Sequence, residues 1–208
     1  MCTRFIPLAP DEVRDAVAAI ATGRPCPLDP QRRGIAQDAF PKRHAPIVVM
    51  NDGIVQARTM QWGFELPGRA AETAFNTRVE TAAASPLWRT SFEERRCIVA
   101  AEAFFETHRD ASGIKDGRRT RQVFRFASPH ETALFIAGIW REGRFSVITC
   151  PPNGAVAAVH DRMPLLLSPE QAKAWLEGAA PPDACAVDIE GAPLYPPAPA
   201  DAQLSLFD

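Results

Sequence analysis

The chain has 208 residues, with 23 Lys and Arg against 25 Asp and Glu, and a formal net charge of −2. That length suits one domain with a well-buried core, and the charge balance excludes a protein that holds nucleic acid by bulk electrostatics. Any such contact requires a local basic face. No apolar run approaches the ~18 residues of a membrane span and no charged-then-apolar leader precedes the domain, so a cytoplasmic protein is expected. The five cysteines (Cys2, Cys26, Cys97, Cys150 and Cys185) are spread along the chain without a CxxC pair. A disulfide framework or a metal site is therefore not expected.

A strand-like start, Met1-Cys2-Thr3-Arg4-Phe5, precedes a helix predicted over 10–21. Val13, Val17 and Ile20 share one face of that helix and Gly23 stops it. Residues 26–44 read as irregular, broken by Pro27, Pro30 and Pro41, and they carry Arg32, Arg33, Lys42 and Arg43. Two apolar runs, 47–50 and 54–57, flank Asn51-Asp52-Gly53, a hairpin signal because these residues tolerate left-handed backbone. The second strand continues to Trp62-Gly63. Asn76 opens a short helix that ends before Pro86, and Ser85-Pro86 caps a second one carrying Trp88 and Phe92.

Cys97-Ile98-Val99-Ala100 leads into Phe104-Phe105-Glu106 as a buried strand, followed by a polar loop over 110–121 with Lys115, Arg118, Arg119 and Arg121. Strands are predicted over 123–126, 134–140 and 145–150, then a loop at Pro151-Pro152-Asn153-Gly154. Ser168-Pro169-Glu170-Gln171 has the form of a capping box for a helix through Trp175, stopped by Gly178. No repeat is present, and strands and short helices mix without βαβ regularity. The fold class expected is α+β, a curved and mainly antiparallel sheet with short helices packed around it.

Several side chains have reactive potential. Once Met1 is trimmed, Cys2 would present an α-amine and a thiol on adjacent carbons, the pair that traps an aldehyde as a five-membered thiazolidine. The amine, with an ordinary pKa near ~8, is partly neutral at pH 7. The alternative for Cys2 is a small apolar core thiol. Asn76 reads as a helix cap or a site residue, Glu106 as a solvated strand end or an acid, and His160 as a carboxylate-held or catalytic histidine. Arg78 is either a surface residue or a phosphate clamp.

Taken in order, Met1-Cys2 with Arg4-Phe5, Trp62-Gly63, Phe75-Asn76-x-Arg78-x-Glu80-Thr81, Arg96-Cys97-x-Val99 leading to Phe104-Phe105-Glu106, and His160-Asp161-Arg162-Met163-Pro164 resemble the SOS-response-associated peptidase (SRAP) family. The resemblance covers the chain to about Ile189. It implies a mainly β, barrel-like fold with helices around it, and a sensor of abasic sites in single-stranded DNA that crosslinks to them through its N-terminal cysteine. It further implies that Cys2 attacks the ring-opened sugar, that Glu106 shuttles protons in a site made apolar by Phe104 and Phe105, and that His160 protonates the ring oxygen. Asn76 would orient the Cys2 end, with Arg4, Arg78 and Arg162 on phosphates, and Trp62 either lines the DNA site or is a core tryptophan. No cofactor is expected, the partner is single-stranded DNA carrying abasic sites, and a monomer is the expected working unit.

The chain also departs from the family pattern. Thr3 stands where Gly is usual, Gln37 where Pro is usual, and Phe64 to Gly68 lack a second tryptophan. Glu102-Ala103 replaces Asp-Gly, and Thr107 replaces an aromatic after Glu106. The reactive set is complete while the stacking aromatics are reduced. Two other functions fit the same residues: a peptidase using Cys2 as an N-terminal nucleophile, and a non-crosslinking adaptor.

The domain is expected to span 1–190, followed over 191–208 by a proline-rich flexible tail. The tail ends in Gln203-Leu204-Ser205-Leu206-Phe207-Asp208, which resembles the peptide that carries bacterial repair proteins to the DNA sliding clamp. That resemblance implies Leu206 and Phe207 in an apolar pocket, with Leu204 beside them and Gln203 hydrogen-bonded at a second one. Docking back onto the chain's own domain is the alternative.

Overall fold

The computed structural model describes residues 2–29, 31, 37–183, 185 and 187–199, with 69–71 described by backbone alone. Strand β1 (Arg4–Pro7) precedes helix α1 (Glu12–Thr22). The helix buries Val13, Ala16, Ala19 and Ile20, and the N–H of left-handed Gly23 closes it on the Ala19 carbonyl. Val17, expected on the same face, is only partly buried against the core. The expected hairpin follows as β2 (His44–Asn51) and β3 (Ile54–Trp62), with Asn51 opposite Ile54. Asp52 and Gly53 turn it at φ 50° and 75°, the double left-handed geometry of a tight hairpin.

A small hairpin, β4 (Phe64–Leu66) and β5 (Arg69–Ala74), leads to β6 (Asn76–Arg78), α2 (Val79–Ala82) and α3 (Arg89–Glu94). Then come β7 (Arg96–Lys115), β8 (Arg118–Ala127), β9 (Leu134–Arg141), β10 (Arg144–Cys150), α4 (Gly154–Ala157), β11 (Met163–Pro164), β12 (Leu166–Leu167), α5 (Pro169–Leu176) and β13 (Glu190–Pro193). The order β9-β10-β3-β2-β7 returns through a β7–β9 pairing, so these five strands curl into a ring. Pairing is antiparallel except where β10 runs parallel to β3 and to β6. The α+β class and the curled, mainly antiparallel sheet expected of the sequence are what the structure has.

The core lies inside the curl. Trp62 has no exposed surface; it packs against Phe5, Phe75 and Phe145, and its Nε1–H donates to the Phe75 carbonyl at 2.8 Å. Gly63, at φ 114°, redirects the chain after it, and a Cβ there would lie 1.9 Å from Thr73 Cγ2. The capping box at Ser168 is present in full, and Trp175 of α5 donates to the Cys97 and Gly138 carbonyls at 3.2 Å each. Among the described residues no helix is long and apolar enough to cross a membrane, and all five cysteines are free.

Four local expectations are corrected. Asn76 opens a strand, not a helix: β6 pairs with β10 from Asn76↔Val147 to Arg78↔Thr149, and three residues are too few to show a period. Ser85 does not cap α3, whose N-cap is Trp88 without a side-chain bond. The loop holds for Pro151, Pro152 and Asn153, but Gly154, read as its last residue, opens the short helix α4, which Asn153 caps. The polar loop over 110–121 is paired strand, turned at Asp116 and Gly117 with φ 50° and 74°. Its alternation was invisible because both faces of that arm carry polar and charged residues.

The proline-rich segment is also attached to the sheet well beyond residue 190. Strand β13 pairs with β8, Leu194 N–H donates to the Val123 carbonyl, and Ile114 and Ser112 exchange bonds with Pro196 and Ala198. Backbone pairing of this kind needs no apolar pattern, so composition could not reveal it. Gln203, Leu204, Leu206 and Phe207 lie outside the described residues.

Candidate functional site

The site is built where β1 lies along β7, with Arg4 opposite Phe105 and Phe5 opposite Phe104. This pairing brings the chain start to the level of Glu106. Cys2 is fully buried and its Sγ–H reaches the Arg4 carbonyl at 3.5 Å. Burial, with the Glu106 carboxylate adding in the same direction, pushes the Cys2 thiol far above its ordinary range. A thiol held this way needs a base to take its proton before it can react.

Glu106 is 2% exposed, and burial pushes its carboxyl up to about 7. A carboxyl poised there exchanges a proton in either direction near neutral pH, which is the property required of a shuttle. Strand alternation puts Glu106 on the face of Phe104, which stacks on Phe126 with centroids 5.2 Å apart. Phe105 points the other way, into a small separate cluster with Ile6 and Ala103. The apolar setting expected from both phenylalanines therefore comes from Phe104's side alone.

His160 follows α4, its N–H donating to the Val156 carbonyl at 2.9 Å. Its Nδ1 accepts from the Arg162 N–H at 3.0 Å and lies 3.0 Å from Asp161 Oδ1, while Nε2 faces Glu106 Oε2 at 3.9 Å. That last distance is too long for a direct hydrogen bond, so the two groups face each other across a gap. Burial lowers the His160 pKa, favouring the neutral ring near pH 7. Asn76 completes the set: its Nδ2 donates to the Cys2 carbonyl at 2.7 Å, across 74 residues of sequence. Among the described residues its Oδ1 is buried without a hydrogen-bond partner, leaving an acceptor for a donor entering the site.

Cys2, Asn76, Glu106 and His160 thus come together from the chain start, β6, β7 and the turn after α4. The expected DNA-contact residues behave differently. Trp62 has no accessible face, so of its two readings the core tryptophan holds and it is not a DNA-lining residue. Arg162 spans both oxygens of Glu80, at 2.6 and 3.0 Å, and donates to the Thr149 carbonyl at 2.6 Å. It ties the His160 loop to α2 and β10, and its guanidinium is already engaged.

Arg4 pairs with Asp38 at 2.5 Å and lies over the Phe105 ring, 3.9 Å from its centroid. Arg78 is exposed at the end of β6. The carboxylates Asp38 and Glu80, which hold Arg4 and Arg162, were missed by sequence reasoning because they lie 34 and 82 residues away. No local pattern encodes such pairs. The described residues hold no His, Cys, Asp and Glu cluster able to bind a metal. The cavity beside Pro7, Leu8, Val13 and Pro46 shares no residue with this set.

The family model described as SOS response associated peptidase (SRAP) matches residues 1–193. Abasic site processing protein YedK of Escherichia coli is 27% identical over 182 residues, which cover 85% of this chain and 79% of that protein. Abasic site processing protein YoqW of Bacillus subtilis is 30% identical over 145 residues, 62% of this chain and 62% of that protein. Among solved structures, a protein from Bordetella bronchiseptica aligns at a TM-score of 0.70 and 19% identity, over 93% of this chain and 99% of that one. A phage-related protein of the same organism aligns at 0.67 and 20% identity, over 93% and 94% of the two chains. These two likenesses establish the fold alone. With the family model matched across 1–193, the chain belongs to the SOS response associated peptidase family.

Proposed function

We propose that the protein processes abasic sites in single-stranded DNA by crosslinking to them through Cys2 after removal of Met1. The observation that carries this reading is the convergence of Cys2, Asn76, Glu106 and His160 from four separate parts of the chain. The names of the curated relatives, abasic site processing proteins, point to the same substrate. Its chemistry balances without a cofactor. The Cys2 α-amine adds to the C1′ aldehyde of the ring-opened sugar, and the carbinolamine loses water to give an imine. The thiol then adds across the C=N bond, sulfur to carbon and proton to nitrogen, closing a thiazolidine; one water leaves overall and nothing is oxidised.

Each side chain has a role its position suits. Glu106 takes the thiol proton and returns a proton to the nitrogen, as a carboxyl poised near 7 is able to do. Opening the sugar moves its anomeric O–H proton to the ring oxygen, a transfer that His160 relays through Nε2, and Asn76 fixes the Cys2 backbone through its carbonyl. The test incubates Met1-processed protein with an oligonucleotide bearing one abasic site and resolves the products by denaturing electrophoresis. A slow-migrating band in wild type and none with Cys2→Ala is the expected result. The same band with Cys2→Ala overturns the reading, and turnover of peptides without DNA favours the peptidase instead.

The tail extends the proposal. Gln203, Leu204, Leu206 and Phe207 begin a few residues beyond Pro199, and docking them on the DNA sliding clamp would raise the local concentration of a protein with little net charge. Leu206→Ala with Phe207→Ala is expected to abolish clamp binding while crosslinking persists. Unchanged clamp binding removes this part of the reading.

A further inference from the structure

Among the described residues three large apolar side chains are exposed, and one of them, Phe40 at 46%, stands beside the reactive end. Ala39 exchanges both backbone bonds with Phe5, at 3.2 and 2.8 Å, which sets Phe40 next to Arg4 in register. On its other side Arg4 pairs with Phe105. The three side chains form one row across neighbouring segments, with the Arg4 guanidinium 5.9 Å from the Phe40 ring and 3.9 Å from that of Phe105. The inner ring is buried and the outer one is open to solvent.

The backbone beneath Phe40 is a rigid corner. Pro41 restricts φ, Lys42 adopts a left-handed φ of 70°, and the Arg43 N–H closes the turn on the Phe40 carbonyl at 3.0 Å. Proline followed by a left-handed residue is the type II pattern, costly for lysine and sustained here by its surroundings. Those surroundings are the core itself: Lys42 N–H donates to the Trp62 carbonyl at 2.8 Å, and Trp62 N–H to the Arg43 carbonyl at 2.9 Å. An exposed aromatic ring thus stands on a fixed turn that also exposes Lys42 and Arg43. Aromatic faces interleaved with cations are how single strands are held without sequence preference.

We infer that Phe40 is a stacking platform for a nucleobase neighbouring the abasic site, with Lys42 and Arg43 on the adjoining phosphates. This rests on the reading of the chain as a binder of abasic single-stranded DNA. Arg4 and Arg162 are already paired with Asp38 and Glu80, which leaves them less charge to offer a phosphate.

The probe is a single strand containing a tetrahydrofuran abasic analogue, which has no aldehyde, with 2-aminopurine as the adjacent base. Wild-type protein is expected to quench the 2-aminopurine, and Phe40→Ala to lose the quench and bind about tenfold more weakly, the scale of one base–aromatic stack. Phe40→Trp keeps both, Phe40→Leu keeps the apolar bulk but loses the quench, and Ile54→Ala at the hairpin turn changes neither. A wild type that leaves the 2-aminopurine unquenched, or a Phe40→Ala variant that binds and quenches like wild type, overturns the inference. Quenching by wild type without any crosslink to aldehydic abasic DNA upholds the platform and sinks the crosslink reading. Crosslinking with an unquenched neighbour does the reverse.

Discussion

Replacing Glu106 with Gln isolates the energetic cost of placing a carboxyl in this site. Gln is close to the shape of the neutral acid and cannot ionise. Burial raises the Glu106 carboxyl from 4.5 to about 7, so the folded state binds a proton that the unfolded state has released over that interval. Stability contributed by this group is therefore full below pH 4.5 and declines as pH rises towards 7. At about 1.4 kcal/mol per pH unit, the decline amounts to about 3 kcal/mol. Urea unfolding of wild type and Glu106→Gln at pH 5, 6, 7 and 8 measures it. The variant's advantage is expected to grow by about 2–3 kcal/mol between pH 5 and 8, or about 1–1.5 M in midpoint at a slope of about 2 kcal/mol per M. His160, whose pKa burial lowers, contributes the opposite trend but is present in both proteins. Parallel stability profiles across this range would refute the idea that Glu106 is held as a poised acid.

The remaining predictions concern the frame around that acid. Asn76→Ala removes the 2.7 Å bond to the Cys2 carbonyl and is expected to slow crosslinking about 10- to 100-fold while circular dichroism stays unchanged; an unaltered rate removes Asn76 from the site. Trp62→Phe deletes the buried bond to the Phe75 carbonyl and should cost about 1–3 kcal/mol of stability, with DNA affinity unaltered in an anisotropy titration. Chains ending at 199 and at 189 test the strand β13, which only the first retains. One ending at 189 loses β13 and the cover Gly191 gives Phe126, and should be destabilised by more than about 2 kcal/mol. Crosslinking by wild type should rise with pH through about 7 as Glu106 becomes a base, and Glu106→Gln should flatten that profile.

The elements legible in the chain were those whose signal is local. The α1 face, the Asp52-Gly53 hairpin and the Ser168 capping box each occupy a few consecutive residues whose side chains or backbone preferences act on one another directly. The candidate set of Cys2, Asn76, Glu106 and His160 was picked out through order and spacing matched to a family, because nothing within a few residues of Asn76 or Glu106 tells a cap or strand end from a site residue. Neither the side-chain pairings nor the strand pairings made across the fold were readable. Asp38 on Arg4 and Glu80 on Arg162 depend on distant segments meeting, and so does the burial that takes Trp62 away from the surface. The arm at 110–121 and the strap at 190–198 pair through backbone groups, which every residue carries and no composition records. Sequence alone determined which side chains with reactive potential the protein has and the order in which they come. The tertiary structure decided which of them meet, because the pKa of Glu106, the engagement of each arginine and the exposure of Phe40 are properties of their neighbours in space.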